Sequence, residues 1–254
     1  MSANPFVWYE LATSDVDAAL GFYGALLGWT AQDFPGNTET RYVIVTANGK
    51  GVGGVMTLPA GMSEPFWLGY VGTNDIDAAT ASFTGAGGTL HRGPWEIPQV
   101  GRLALVSDPQ GAGLAMIQGA SDQPSEAFNQ SLPGHGNWNE LHTTDPDAAM
   151  RFYSAQFGWT AGRAMPMGPN GTYQLFQADG TDIGGISPML MSSRPSWLYY
   201  FGVADVTAAI ARIGDNGGAV LMGPQEVPGG AVIVIARDPQ GASFAVVGPG
   251  SGST

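Results

Sequence analysis

The stretch VWYELATSDVDAALGFYGALLGWTA, residues 7–31, returns at residues 137–161 as NWNELHTTDPDAAMRFYSAQFGWTA, with 15 of 25 positions identical and no gap. The same 130-residue offset pairs Trp67 with Trp197, Pro94 with Pro224, and the turn Asp108-Pro-Gln-Gly-Ala with Asp238-Pro-Gln-Gly-Ala. One offset holding across the whole length marks a tandem duplication. A fainter repeat divides each copy. Asp15-Val-Asp-Ala-Ala recurs as Asp75-Ile-Asp-Ala-Ala, and Asp145-Pro-Asp-Ala-Ala as Asp205-Val-Thr-Ala-Ala, each 60 residues on. The chain therefore reads as four modules of about 60 residues, two per copy.

Each module opens on a short strand-like run (Trp8 to Thr13, Trp67 to Gly72, Trp138 to Thr143, Trp197 to Val203) followed by an Asp at a helix N-cap position, where a carboxylate accepts from unpaired backbone N–H groups. In the first helix Ala19, Phe22, Tyr23 and Leu26 follow the i, i+3, i+4, i+7 spacing of one buried face. Gly28 and Gly87-Gly88 fall where such helices stop. Runs rich in Val, Ile and Tyr (Tyr42–Val45, Leu103–Val106, Ala231–Ile235), broken by Gly and Pro, read as strands. Each module is then β-α-β-β with one further strand, an α+β chain. The domains are expected at 1–120 and 135–254, joined by a polar Pro- and Ser-containing linker at 121–134.

Composition excludes several functions. A net charge of −12 with nine Lys plus Arg scattered singly leaves no basic stripe for a phosphate backbone. Neither a nucleic-acid partner nor an anionic membrane surface is expected, and phosphorylated ligands are disfavoured. No apolar run reaches membrane-spanning length. The N-terminal residues show no basic and apolar leader pattern, so a cytoplasmic location is expected. Zero cysteines rule out disulfides, thiolate nucleophiles and thiolate metal sites. The expected partner is a small molecule, with the chain a monomer or a homodimer.

The paired modules, the Asp-x-Asp-Ala-Ala…Phe-Tyr…Gly-Trp helix and the Asp-Pro-x-Gly turn before the last strand resemble the vicinal oxygen chelate superfamily, which includes glyoxalase I, bleomycin- and fosfomycin-resistance proteins and extradiol dioxygenases. Within it the chain looks like the tandem glyoxalase-like proteins of actinobacteria described as antigens or hydroxylases. The resemblance implies four βαβββ modules forming two glyoxalase-like domains, each a curled eight-stranded cup with helices outside. It also implies where a divalent metal would sit. Those positions carry Trp8, Leu68 and Ala115 in one copy and Trp138, Leu198 and Ala245 in the other. The further ligand strand, Gly53-Gly-Val-Met-Thr-Leu or Gly184-Gly-Ile-Ser-Pro-Met, has no carboxylate or imidazole. A cation needs nitrogen or oxygen lone pairs, so no metal and no other cofactor is expected.

Alternation along a strand sends Trp8, Glu10 and Ala12 to one face, and Trp138, Glu140 and His142 to the matching face of the second copy. With Leu11 and Leu141 packed under the helices, both carboxylates enter the pocket. A carboxylate desolvated beside an indole is expected to titrate high, which suits a general acid or base near neutral pH. His142, matched by Ala12, could relay a proton. Tyr70 and Tyr200 could stack a planar ligand and donate to it, and Arg102 could meet an anionic one. Trp67, Trp197, Trp29 and Trp159 read as core, and His91 and His135 as turn and linker residues. Two functions stay open. One is a metal-free receptor for an apolar or aromatic molecule. The other is an enzyme of glyoxalase/lyase, isomerase or hydroxylase type using Glu10 or Glu140 as general acid/base.

Overall fold

The computed structural model describes residues 3–35, 41–121, 123–189 and 193–250. The first copy runs β1 (Phe6–Thr13), α1 (Val16–Leu27), β2 (Thr30–Asp33), β3 (Tyr42–Ala47), β4 (Lys50–Thr57), β5 (Phe66–Gly72), α2 (Ile76–Gly85), β6 (Thr89–Ile97), β7 (Gly101–Ser107) and β8 (Gly113–Gly119). The second copy repeats this as β9 (Gly136–Thr143), α3 (Pro146–Phe157), β10 (Thr160–Pro166), β11 (Thr172–Ala178), β12 (Thr181–Pro188), β13 (Ser196–Gly202), α4 (Val206–Asp215), β14 (Ala219–Glu226), β15 (Val232–Arg237) and β16 (Ser243–Gly248), with a short 3₁₀ turn at Gly168–Asn170. Four βαβββ modules are thus present. The strands form two mixed eight-stranded sheets, ordered β2-β3-β4-β1-β5-β8-β7-β6 and β10-β11-β12-β9-β13-β16-β15-β14. Neither sheet closes on itself, and β2, β6, β10 and β14 are the edges.

Local chemistry explains the elements. Asp15, Asp75 and Asp145 each accept from the backbone N–H three residues on, at 2.9–3.0 Å, and Asp205 accepts from Thr207 and Ala208. These bonds satisfy donors that a helix start leaves open. Gly28 and Gly158 close α1 and α3 in the left-handed region, at φ 72° and 71°, which only glycine enters without strain.

The chain divides into two compact units, each drawing on both copies. One comprises residues 1–7, 69–124 and 138–198; the other comprises 8–68, 125–137 and 199–254. In the second, the buried face of α1 meets rings from the other copy. Phe22 and Tyr23 lie 5.7 and 5.3 Å from Phe244, while Trp29 and Trp67 lie 5.3 and 5.0 Å from Phe201. In the first, Tyr153 of α3 packs on Trp159 and Trp197, and Phe152 packs on Phe83 of α2. Such ring pairs contribute about 0.5–1.5 kcal/mol each beyond the area they bury. The four tryptophans read as core are buried.

Each unit also holds a Tyr–Asp bond from one copy to the other. Tyr23 donates to Asp238 Oδ2 and Tyr153 to Asp108 Oδ2, both at 3.0 Å. The second carboxylate oxygen fixes the Asp-Pro-Gln-Gly-Ala turn. Asp108 Oδ1 accepts from Gln110 and Ala112, and Asp238 Oδ1 from Gln240, Gly241 and Ala242. Burial raises the Asp238 carboxyl above its ordinary range, against the lowering effect of these bonds. It raises the Tyr23 phenol well above its own, with the Asp238 charge adding to the effect.

From Ser125 onward the polar segment makes bonds to residues of the first copy. Gly134 O accepts from the Trp29 indole at 2.6 Å, Pro133 O accepts from Asn48, and Lys50 pairs with Glu126 at 2.7 Å. His135 is fully buried, with Nδ1 2.7 Å from the Glu126 carbonyl.

Replacing Tyr23 by Phe leaves a buried carboxylate one donor short. Chemical denaturation is expected to show a loss of about 1–3 kcal/mol with an unchanged dependence on denaturant. An unchanged midpoint would show that the bond carries no share of the unit's stability.

Candidate functional site

Tyr9 and Leu11 on β1 are fully buried, so Trp8 and Glu10 occupy the opposite, half-buried face of the strand. On β9, Asn139 and Leu141 are fully buried, and Trp138, Glu140 and His142 share the other face. In both copies a tyrosine from the module's third strand completes the group. The Trp8 indole donates to Tyr42 Oη at 2.9 Å, and Tyr42 in turn hydrogen-bonds the Glu10 carboxylate. The Trp138 indole donates to Tyr173 Oη at 2.8 Å, and Tyr173 donates to Glu140 Oε2 at 2.8 Å. Trp8 and Trp138, expected as ligand contacts, therefore orient the phenol that holds each carboxylate.

A glycine makes this reach possible. Glu10 is in register with Gly54 on β4, and Glu140 with Gly185 on β12. A Cβ at Gly54 would overlap the hydroxyl and ring of Tyr42, and one at Gly185 the ring and hydroxyl of Tyr173. The tyrosine lies across β4 or β12 over its glycine and ends on the carboxylate. Burial, reinforced by the carboxylate charge, raises both phenols well above their ordinary value. Both stay protonated donors through the neutral range.

In the second copy the array continues. Glu140 Oε1 lies 2.9 Å from His142 Nε2, and His142 Nδ1 lies 3.0 Å from Ser187 Oγ, which donates to the Pro188 carbonyl at 3.1 Å. Glu140, His142 and Ser187 are 8 %, 6 % and 2 % exposed. The apolar surroundings expected of Glu140 are replaced by a hydrogen-bonded chain, Trp138–Tyr173–Glu140–His142–Ser187. In the first copy Ala12 and Met56 stand in register where His142 and Ser187 pair.

The remaining expected residues lie elsewhere. Arg102 on β7 is held bidentately by Asp77 of α2, at 2.6 and 2.9 Å. The pair raises the guanidinium and lowers the carboxyl from their ordinary values. An arginine expected to await an anionic ligand thus already has a carboxylate, on the face that carries the helix. Tyr70 and Tyr200 are buried, in register with Ala115 and Ala245. Tyr70 alternates with Trp67, whose indole donates to Tyr23 of α1, so it takes the strand face turned from that helix. His91 lies 2.9 Å from Ser107 Oγ.

The metal positions implied by the resemblance hold indole, isobutyl and methyl groups, a set that does not fit a cation. Among the described residues no three His, Asp or Glu side chains converge to hold one. No helix among them is long and apolar enough to cross a membrane.

Comparison with known proteins agrees with this architecture. The family model of the Glyoxalase/Bleomycin resistance protein/Dioxygenase superfamily matches residues 6–116 and again 137–246. The chain belongs to that superfamily. It is 32% identical over 248 residues to the "Putative glyoxylase CFP32" of Mycobacterium tuberculosis, covering 95% of this chain and 94% of that one. It is 29% identical over 256 residues to the "Anthracycline biosynthesis protein DnrV" of Streptomyces peucetius, covering 94% and 91%. Two solved structures share the fold. The Mn(II)-bound glyoxalase from Novosphingobium aromaticivorans has a TM-score of 0.67 at 16% identity, covering 97% of this chain and 82% of that one. The homoprotocatechuate 2,3-dioxygenase of Brevibacterium fuscum has a TM-score of 0.70 at 13% identity, covering 97% and 81%.

The raised phenols set an alkaline limit. A phenol whose folded value exceeds its unfolded one contributes stability that is fully present below the unfolded value, about pH 10, and is lost as pH rises further. In a titration followed at the phenolate absorbance band, Tyr23, Tyr42 and Tyr173, three of the eight tyrosines, are expected to ionise only as the fold melts. All eight ionising together near pH 10, with far-ultraviolet dichroism intact, would refute the Trp–Tyr–Glu arrays.

Proposed function

We propose that each copy binds a small apolar or aromatic molecule against its Trp–Tyr–Glu array, with no resident metal, and that Glu10 or Glu140 is the acid–base group presented to it. The observation that carries this reading is the hydrogen bond from a half-buried tyrosine to the Glu on the face expected to enter the pocket, made in both copies. A carboxylate oriented by the phenol can take a ligand's proton, and positioned acid–base groups of this kind supply about 10²–10⁴ in rate. Indole and phenol rings beside it offer flat, polar-tipped surface to an aromatic ligand. A relative named for anthracycline biosynthesis is in keeping with a planar aromatic ligand. The donor-poor side chains at the implied metal positions favour chemistry by the protein's own groups. The expected setting is the cytoplasm, with the chain a monomer or homodimer and no nucleic-acid or membrane partner.

Two probes test this. 1-Hydroxyanthraquinone is expected to quench indole fluorescence saturably, to the same extent in excess EDTA. 5-Nitrobenzisoxazole, which opens when a base removes its C3 proton, is expected to be turned over. The double variant Glu10→Gln/Glu140→Gln should keep the quenching affinity within about threefold and lose about a hundredfold in turnover. Quenching that disappears with EDTA and returns with added metal would overturn the metal-free reading. Full turnover in the double variant would overturn the acid–base role.

A further inference from the structure

The two copies build the same Trp–Tyr–Glu array, then part at one cross-strand pair. On β9 and β12 the pair is His142 with Ser187; on β1 and β4 it is Ala12 with Met56. Both members of the pair differ together. From this we infer that the acid–base chemistry is confined to the second copy, where His142 and Ser187 complete the site, and that the first copy binds without turning its ligand over. The inference rests on the function proposed above and assigns its acid–base activity to one copy.

The argument concerns where a proton can rest. With Ser187 Oγ donating to the Pro188 carbonyl, the Nδ1–H tautomer of His142 donates to Ser187 across the 3.0 Å contact. Ser187 thereby fixes the ring and turns Nε2 toward Glu140 Oε1, 2.9 Å away. Two bare lone pairs would repel at that distance, so one proton lies between them. With the proton on His142, Glu140 is a carboxylate and can accept from a ligand. With it on Glu140, the side chain is a carboxylic acid and can donate. The pair can change roles without exchange with bulk water, which its slight exposure restricts. Glu10 has the same phenol partner, but Ala12 stands where His142 supplies an imidazole nitrogen in the second copy. Met56 offers a thioether where Ser187 offers a hydroxyl, so the first array ends in apolar surface suited to an uncharged ligand.

His142 and Ser187 are thus positioning residues that act through Glu140. Elimination of 5-nitrobenzisoxazole reports on them directly. Glu140 takes the C3 proton, the C–H electron pair becomes the new C–N π bond, and the N–O bond breaks to leave a cyanophenolate. The proton then passes from Glu140 to water, and no oxidant or reductant is needed.

Three variants in the full chain decide the matter. His142→Ala and Ser187→Ala are expected to lower kcat, by about a hundredfold and about tenfold, with KM held within about threefold. Ala12→His/Met56→Ser, placed in the His142→Ala background, is expected to recover at least about tenfold of the loss, because it rebuilds the pair beside Glu10. Far-ultraviolet dichroism confirms that each variant folds. Full kcat in His142→Ala, with the double Glu variant inactive, would overturn the division between copies while leaving the proposed function standing. A folded graft with no recovery would overturn the claim that this pair is what the first copy lacks. No turnover by the parent chain beyond that of free imidazole would overturn both.

Discussion

The arrangement of each site depends on a single hydrogen bond, from a tyrosine hydroxyl to a glutamate on the same module's opening strand. In the second copy it spans 2.8 Å from Tyr173 to Glu140. A half-buried carboxylate with no donor is costly, and the tyrosine removes that cost while leaving the group able to act. The bond places demands on its surroundings. The strand between the two residues must lack a side chain where the ring crosses, which Gly54 and Gly185 provide. The phenol needs a donor of its own to hold its direction, which Trp8 and Trp138 provide. Four residues on three strands are thus fixed by one requirement.

Behind the sites, a second tyrosine–carboxylate bond ties the copies together. Tyr23 and Tyr153 reach the Asp-Pro-Gln-Gly-Ala turn of the opposite copy, so each compact unit is assembled from halves distant in sequence. The two bonds divide the labour of the fold. One holds a turn at the helix side of a sheet. The other holds a reactive group on the opening strand's other face.

Much of this was legible in the residues, for definite reasons. Aspartates at the helix starts are read from position alone, because a cap bonds three residues away. The duplication and the placement of Glu10, Glu140 and the core tryptophans follow from periodicity, which is local. Tyr42 and Tyr173 were not found, because they stand 131 residues apart and so fall out of the 130-residue alignment. The glycine pairs in β4 and β12 were read as strands without donors, when their meaning is the room they leave for a ring. The repeated Tyr and Gly-Gly at that shifted offset was the available signal. The pairing of Arg102 was not legible because its partner Asp77 lies 25 residues away on a helix, and a cap-proximal aspartate gives no local sign of pairing with a strand. The alternation that set His142 beside Glu140 also could not show that Ser187 stands across from it, since that needs the parallel register of β9 and β12.

The proposed site is a hydrogen-bonded array of protein groups that works without a bound cation. Metal analysis by inductively coupled plasma mass spectrometry, on protein purified without chelator and dialysed against mixed manganese, iron, nickel and zinc salts, tests it most directly. The account predicts metal far below one ion per copy, unchanged by Glu140→Gln. One ion per copy that survives gel filtration and is lost with Glu140→Gln would contradict it.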